Sequence, residues 1–287
     1  MEKFLFPRWI KQGLIYSCVS RSFFKTHATR PIPFLINSNR LRLFFSSRDI
    51  DDMPYPTFID VDPNNPRNVL SINEEPLMDL GKKGTFDDCG ITPVSILRKH
   101  NSALMYYVGW KRRRYGVSIE TSIGVAELSR DGTSLKRIFE GPLIGQDRIH
   151  PILVAAPFVI PDRGRFRMWY CSGREWLQMP HGPEMIYTIF EAWSEDGLNW
   201  VQSSCQPKID YEYDGEVISA PWVEKMNDGS YLMWYSTRGS ATPLDKNYKP
   251  GLAYSSDGQS WRRCDADIGI EKSCSGWDAE MICYPAI

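Results

Sequence analysis

Apolar residues in this chain fall in short runs broken by polar turns, and the runs repeat. RPIPFLI, ITPVSIL, AAPFVI, SAPWVE and CYPAI surround Pro31, Pro93, Pro157, Pro221 and Pro285, spaced by 62 and then 64 residues. A second apolar run ending in aromatic residues follows each of the first four prolines: LRLFFSSR, LMYYVGW, FRMWYCSG and YLMWYSTRG. A third run, TFIDVD, SIGVAELS, YTIFEAWS or GLAYSS, comes next. In the last three copies it enters an Asp-Gly turn, SRDGTSL, SEDGLNW or SSDGQSW, and Trp200 and Trp261 open a fourth strand. Runs rich in β-branched and aromatic residues, bounded by Gly, Pro, Asn and Asp, are strands, and Asp-Gly supplies the positive φ of a tight turn. No stretch keeps a 3.6-residue apolar period, so little helix is expected.

Four antiparallel strands per repeat is the pattern of a propeller blade, a unit that must bury its faces against its neighbours. The expectation is one all-β domain over 1–287, a five-bladed β-propeller with blades starting near 26, 86, 150, 214 and 277. The fifth copy runs out two residues after Pro285. Residues 1–25, with the apolar GLIYSCV stretch, are expected to close the ring by adding a strand to that incomplete blade. Its remaining edge predicts either a truncated form or an oligomer or partner that covers it.

Composition narrows the function classes. A net charge of −1 argues against a general nucleic-acid binder, and 42% hydrophobic residues are ample for a core. Seven cysteines without a CxxC pair suggest free thiols in a reducing compartment. The N-terminus lacks a signal-peptide apolar core and no run approaches membrane-spanning length, which together predict a cytoplasmic protein. No phosphate-loop, dinucleotide, zinc-protease or serine-hydrolase motif is present. No cofactor is expected, and no metal beyond a cation such as calcium held in the channel.

Aligning the copies on their prolines turns the repeat into crude geometry. Five residues before the proline stand Thr26, Asp88, Ile152, Glu216 and Glu280; seven before it stand Phe24, Phe86, His150, Asp214 and Asp278. These positions begin the innermost strands, and the second strands return to the same mouth with Arg48, Trp110, Arg174 and Arg238 at their ends. Asp88, Glu280 and Glu216 are therefore the candidate catalytic carboxylates. His27, Arg30, Arg48, Asp87, Trp110, Trp176, Arg238 and Asp278 are the candidate substrate-binding residues. Opposed carboxylates, arginines and exposed rings suit sugars, whose apolar faces stack on aromatics and whose hydroxyls take charged partners. Asp87-Asp88 after Gly84-Thr85 and Asp214-Gly215 equally fit turn caps. Lys111 to Arg114 (KRRR) is either a solvated run or a site for a phosphate, a nucleotide sugar or an acidic glycan.

The segments WDAEMICYP, TFDDCGITP, MWYCSG and SEDGLNW resemble the five-bladed propeller glycosidases, the group holding arabinanases, invertases, levansucrases and mannoside phosphorylases. More narrowly, HATRPIP, LFFSSRD, GTFDDCGITP, MYYVGW, RMWYCSG and GWDAEMICYP resemble uncharacterised glycosidase-like proteins of bacterial surface-polysaccharide gene sets, over about 9 to 287. The resemblance implies acids on the innermost strands of successive blades. This chain matches at Asp88 but carries Thr26 and Ile152 where two others belong, so Glu280 or Glu216 would have to take over. The turns are one residue short of the sialidase SxDxGxxW spacing and read as plain hairpins. The expected function is a glycosidase-like enzyme cleaving or transferring a glycosyl unit. A phosphorylase using inorganic phosphate, a non-catalytic sugar-binding or polysaccharide-assembly protein, and a partner-recruiting scaffold are the alternatives. The expected ligand is a carbohydrate or sugar phosphate, not nucleic acid.

Overall fold

The computed structural model describes residues 6, 8–20, 23–100, 102–113, 119–180, 182–203, 205–240, 242 and 246–287. It is built from four sheets of four antiparallel strands, each in sequence order from the inside outward. The first holds β1 (Thr26–Asn37), β2 (Arg40–Arg48), β3 (Pro54–Asp62) and β4 (Asn65–Ile72). The second holds β5 (Ile91–Arg98), β6 (Ala103–Arg112), β7 (Ile119–Leu128) and β8 (Leu135–Arg137). The third holds β9 (Val154–Asp162), β10 (Arg165–Met179), β11 (Gly182–Ser194) and β12 (Val201–Gln202). The fourth holds β13 (Val217–Lys225), β14 (Tyr231–Arg238), β15 (Lys249–Ser255) and β16 (Arg262–Arg263). This is a β-propeller in which the strands expected of the first four repeats are present, and a short 3-10 turn at Asp265–Asp267 is the one complete helical element among the described residues.

The repeated proline marks a bulge in the innermost strand. Proline has no N–H for the ladder, and β1, β5, β9 and β13 each lose register beside it. The residue before it takes a left-handed φ at Arg30 (58°), Ala156 (52°), Ala220 (52°) and Tyr284 (57°). Thr92, the equivalent in β5, does not share it; its hydroxyl instead accepts the indole N–H of Trp110 at 3.0 Å.

Five blades are not formed. Residues 277–287 contain no strand, although Tyr284 keeps the bulge conformation of its equivalents. The backbone N–H of Ile282 goes to the Tyr248 carbonyl and that of Tyr284 to the Ser236 hydroxyl, so these donors lean on the fourth blade and leave no ladder for another strand. The GLIYSCV segment is also not a strand. Irregular chain closes the ring instead. Phe6 packs on the Leu232, Trp234, Leu252 and Cys264 cluster of the fourth blade, and Trp9 meets Trp234 edge-on at 6.4 Å. Tyr16 sits on Phe45 of the first blade, and Lys11 pairs with the buried Asp278 at 2.5 Å between them.

Successive blades share apolar clusters, the first with the second around Phe44, Ile91 and Tyr107, the second with the third around Tyr106 and Tyr170, and the third with the fourth around Trp169 and Tyr235. A repeated polar latch joins the same faces. Arg42 donates to the Gly132 carbonyl, Tyr106 to that of Gly197 and Arg167 to that of Gly258, so each Asp-Gly turn is held by the blade before it. These glycines have φ of 70°, 78° and 74°, and a Cβ on Gly197 would stand 2.9 Å from the Tyr106 hydroxyl. Gly197→Ala is therefore expected to cost about 2 kcal/mol, from the left-handed backbone and the displaced latch. Urea unfolding measures it; an unchanged midpoint would mean that the turn moves without loss.

Candidate functional site

A cavity of about 930 Å3 opens at the mouth where β13 begins and β14 ends, between the fourth blade and the closing segment. Glu216, Arg238, Tyr248, Arg263 and Glu280 line it. Of the three candidate carboxylates, Glu216 and Glu280 line this cavity and Asp88 does not.

The two acids differ in setting. Glu216, one residue before β13, is buried and saturated: Arg263 grips both its oxygens at 2.7 and 2.8 Å, the Thr237 hydroxyl donates at 2.7 Å and the Glu212 N–H at 2.7 Å. Burial works to raise its pKa, but the Arg263 guanidinium and the two other donors outweigh burial and hold it below the ordinary carboxylate value. Glu280 is exposed on the cavity wall and takes no hydrogen bond or ion pair from the described residues.

Arg238, the last residue of β14, also lines this cavity. Its guanidinium lies 5.5 Å from the Tyr248 ring, and the Tyr248 and Tyr187 hydroxyls hydrogen-bond to each other. Glu184 is its acidic neighbour at a loose 3.5 Å and also pairs with Lys246. The Tyr248 ring stands 5.7 Å from that of Tyr284, over which Arg30 stacks at 4.0 Å. Tyr284 in turn packs on Ala156, Ala220 and Cys171. Burial pushes the phenols of Tyr187, Tyr248 and Tyr284 up, so they stay protonated as donors.

The other sequence candidates lie outside the lining of this cavity. Asp88 lies in the turn before β5 rather than on it; its Oδ2 accepts the Gly84 N–H at 2.7 Å, while its Oδ1 is buried with no hydrogen-bond partner among the described residues. Asp87 is fully buried and bound by Arg137 (2.8 Å), the Tyr107 hydroxyl (3.0 Å) and the Thr85 hydroxyl (3.1 Å), a structural tie. His27 is exposed, with φ 66° and Nδ1 on the Thr26 hydroxyl; burial and then Arg48 lower its pKa. Arg48 pairs with Asp52 at 2.7 Å, and Trp110 is held by Thr92. Trp176 is an exposed ring on β10, and Asp278 is occupied by Lys11 and Ser273. The KRRR run enters β6 with Lys111 and Arg112, and Arg114 lies outside the described residues. Among the described residues no group of three or more His, Cys, Asp and Glu side chains is placed to hold a metal ion.

The sequence reading missed Tyr187, Tyr248, Glu184 and Arg263. Tyr284 and Arg30 carried a signal, since both immediately precede a repeated proline, the position the bulge turns out to control.

Solved structures share this architecture. One comes from the GH130 family of mannoside phosphorylases, which contains glycoside hydrolases that target beta-1,2 mannosidic linkages in Candida mannan; it is 15% identical with a TM-score of 0.65, covering 92% of this chain and 83% of that one. A thermostable family-43 glycoside hydrolase is 20% identical with a TM-score of 0.60, covering 84% and 76%. Another glycoside hydrolase is 15% identical with a TM-score of 0.64, covering 81% and 72%. At these identities the likeness shows the β-propeller fold alone. No family model matches the chain. The chain belongs to the family of the uncharacterized protein Rv1502 of Mycobacterium tuberculosis (strain ATCC 25618 / H37Rv), to which it is 33% identical over 283 residues, 97% of this chain and 90% of that protein. The uncharacterized protein MT1551 of strain CDC 1551 / Oshkosh has the same identity and coverage.

Proposed function

We propose that the protein is a glycosidase-like enzyme that cleaves or transfers a glycosyl unit in the cavity beside the fourth blade. The observation that carries this reading is the carboxyl of Glu280, without a partner among the described residues, on a cavity wall shared with Arg238 and Tyr248. A sugar needs such a combination of one free acid, charged donors and an aromatic face. Asp88 is the proposed second carboxylate by its place in the repeat; it stands outside the lining of this cavity, so it would act on a substrate that extends beyond the cavity toward the second blade. Glu216, saturated by Arg263, is assigned to shaping the site.

The test is sugar release from a panel of p-nitrophenyl glycosides and oligosaccharides, with and without inorganic phosphate. Asp88→Asn is expected to reduce turnover by about 100-fold with the fold intact. Turnover that needs phosphate identifies a phosphorylase. Saturable sugar binding with no turnover under either condition overturns the enzymatic reading in favour of a binding protein.

A further inference from the structure

We infer that the substrate carries an anionic oxygen group, a carboxylate or a phosphoryl, and that Arg30 and Arg238 with the phenols of Tyr248 and Tyr284 form its subsite; this rests on the glycosyl reading of the cavity. The four residues arrive from the first blade, the fourth blade and the closing segment. Among the described residues Arg30 makes no ion pair, and it is held in place by its stack on Tyr284 at 4.0 Å.

The hydrogen-bonding inventory fixes the ligand's sign. Arginine donates only, and a phenol kept protonated donates as well, so these four side chains, of which Arg238 and Tyr248 line the cavity, offer chiefly donors. Glu184 is the acid in contact with Arg238, at 3.5 Å from each Nη, and it is drawn off by Lys246. Of the acids that line the cavity, Glu216 is neutralised by Arg263, which also pairs with Glu212 and Asp265, while Asp214, Glu271 and Glu280 complete the set. Arginine's planar fork matches a carboxylate or a phosphoryl oxygen pair, and charge-assisted bonds of this type are about twice as strong as neutral ones. A neutral sugar would leave Arg30 with Tyr284 as its side-chain partner and no counter-charge among the described residues.

The experiment is titration calorimetry of the full chain with three probes, sodium D-glucuronate, inorganic phosphate and neutral methyl β-D-glucopyranoside. Glucuronate or phosphate is expected to bind, and Arg30→Ala or Arg238→Ala to weaken that binding by about tenfold or more, the loss of a charged hydrogen bond. Which anion responds separates a carboxylate from a phosphoryl source. Arg30→Lys and Arg238→Lys keep the charge but lose the fork; they serve if an alanine variant fails to fold, and an intermediate loss is expected from them. No binding of either anion, or unchanged binding in all four variants, overturns the inference. Turnover of a neutral glycoside that ignores both arginines sinks it while the glycosidase reading stands, and anion binding without any glycosyl turnover does the reverse.

Discussion

Arg167→Met is expected to destabilise the protein by about 3 kcal/mol, the low end of the range for breaking a buried ion network. Arg167 is fully buried and reaches Glu191 at 2.5 Å, Asp162 at 3.4 Å and the Gly258 carbonyl. Removing it leaves two buried carboxylates and one buried carbonyl short of a donor. The loss is limited because Lys208 still pairs with Glu191 and Lys225 with Asp162, each at 2.7 Å. Thermal unfolding should show a fall of roughly 6 to 10 °C for a domain of this size.

The same variant should change the acid limb of stability. Burial works to raise the Asp162 pKa, but Lys225, Tyr231 and Arg167 outweigh burial and hold it below the ordinary value. A depressed carboxylate contributes stability above its unfolded pKa and loses it as pH falls through the folded one. Without Arg167 the depression shrinks, so acid unfolding followed by circular dichroism should begin at higher pH than in the wild type. An unchanged melting temperature and acid midpoint would show that the two lysines suffice.

The latch that Arg167 belongs to shows what a sequence reveals and what it hides. Asp-Gly at three equivalent turns was legible as a φ requirement, but that Arg42, Tyr106 and Arg167 grasp the turns of the following blade was not, because unlike residue types do one job at equivalent places. The strands were legible because their apolar runs recur with the prolines. Blade count was not. Pro285 repeats the local bulge signal faithfully, and Tyr284 adopts it, yet a bulge is a one-strand feature while a blade needs partner strands. The site divides in the same way. Register along the repeat brought Glu216 and Glu280 to one cavity, and Arg30 was named for its place in the first blade, but Tyr284, its equivalent one back from Pro285, was not, because nothing marked that position as a bulge. Glu184, Tyr187 and Tyr248 come from the third blade and from the stretch leading into β15, so no single-strand alignment lines them up.

Glu280→Gln and Glu216→Gln are expected to separate the two cavity acids by opposite signatures. Glu280 is exposed and holds nothing among the described residues, so its amide should change stability by no more than about 0.5 kcal/mol. If it transfers a proton or attacks the sugar, turnover falls about 100-fold or more with the melting temperature unmoved. Glu216 is the reverse case. A glutamine there turns an amide donor toward the Arg263 donors and strips the partner from a guanidinium that then keeps Asp265 and Glu212, at an expected cost of about 2 to 4 kcal/mol. Its carboxyl is held ionised by Arg263, whereas a general acid needs a raised pKa, so Glu216 is unfit to donate a proton near neutrality. Calorimetric unfolding and steady-state kinetics on both variants read the two effects independently. A Glu216→Gln protein that melts like the wild type but has lost turnover would exchange the roles, making the buried acid the reactive one and leaving Glu280 as a surface carboxylate.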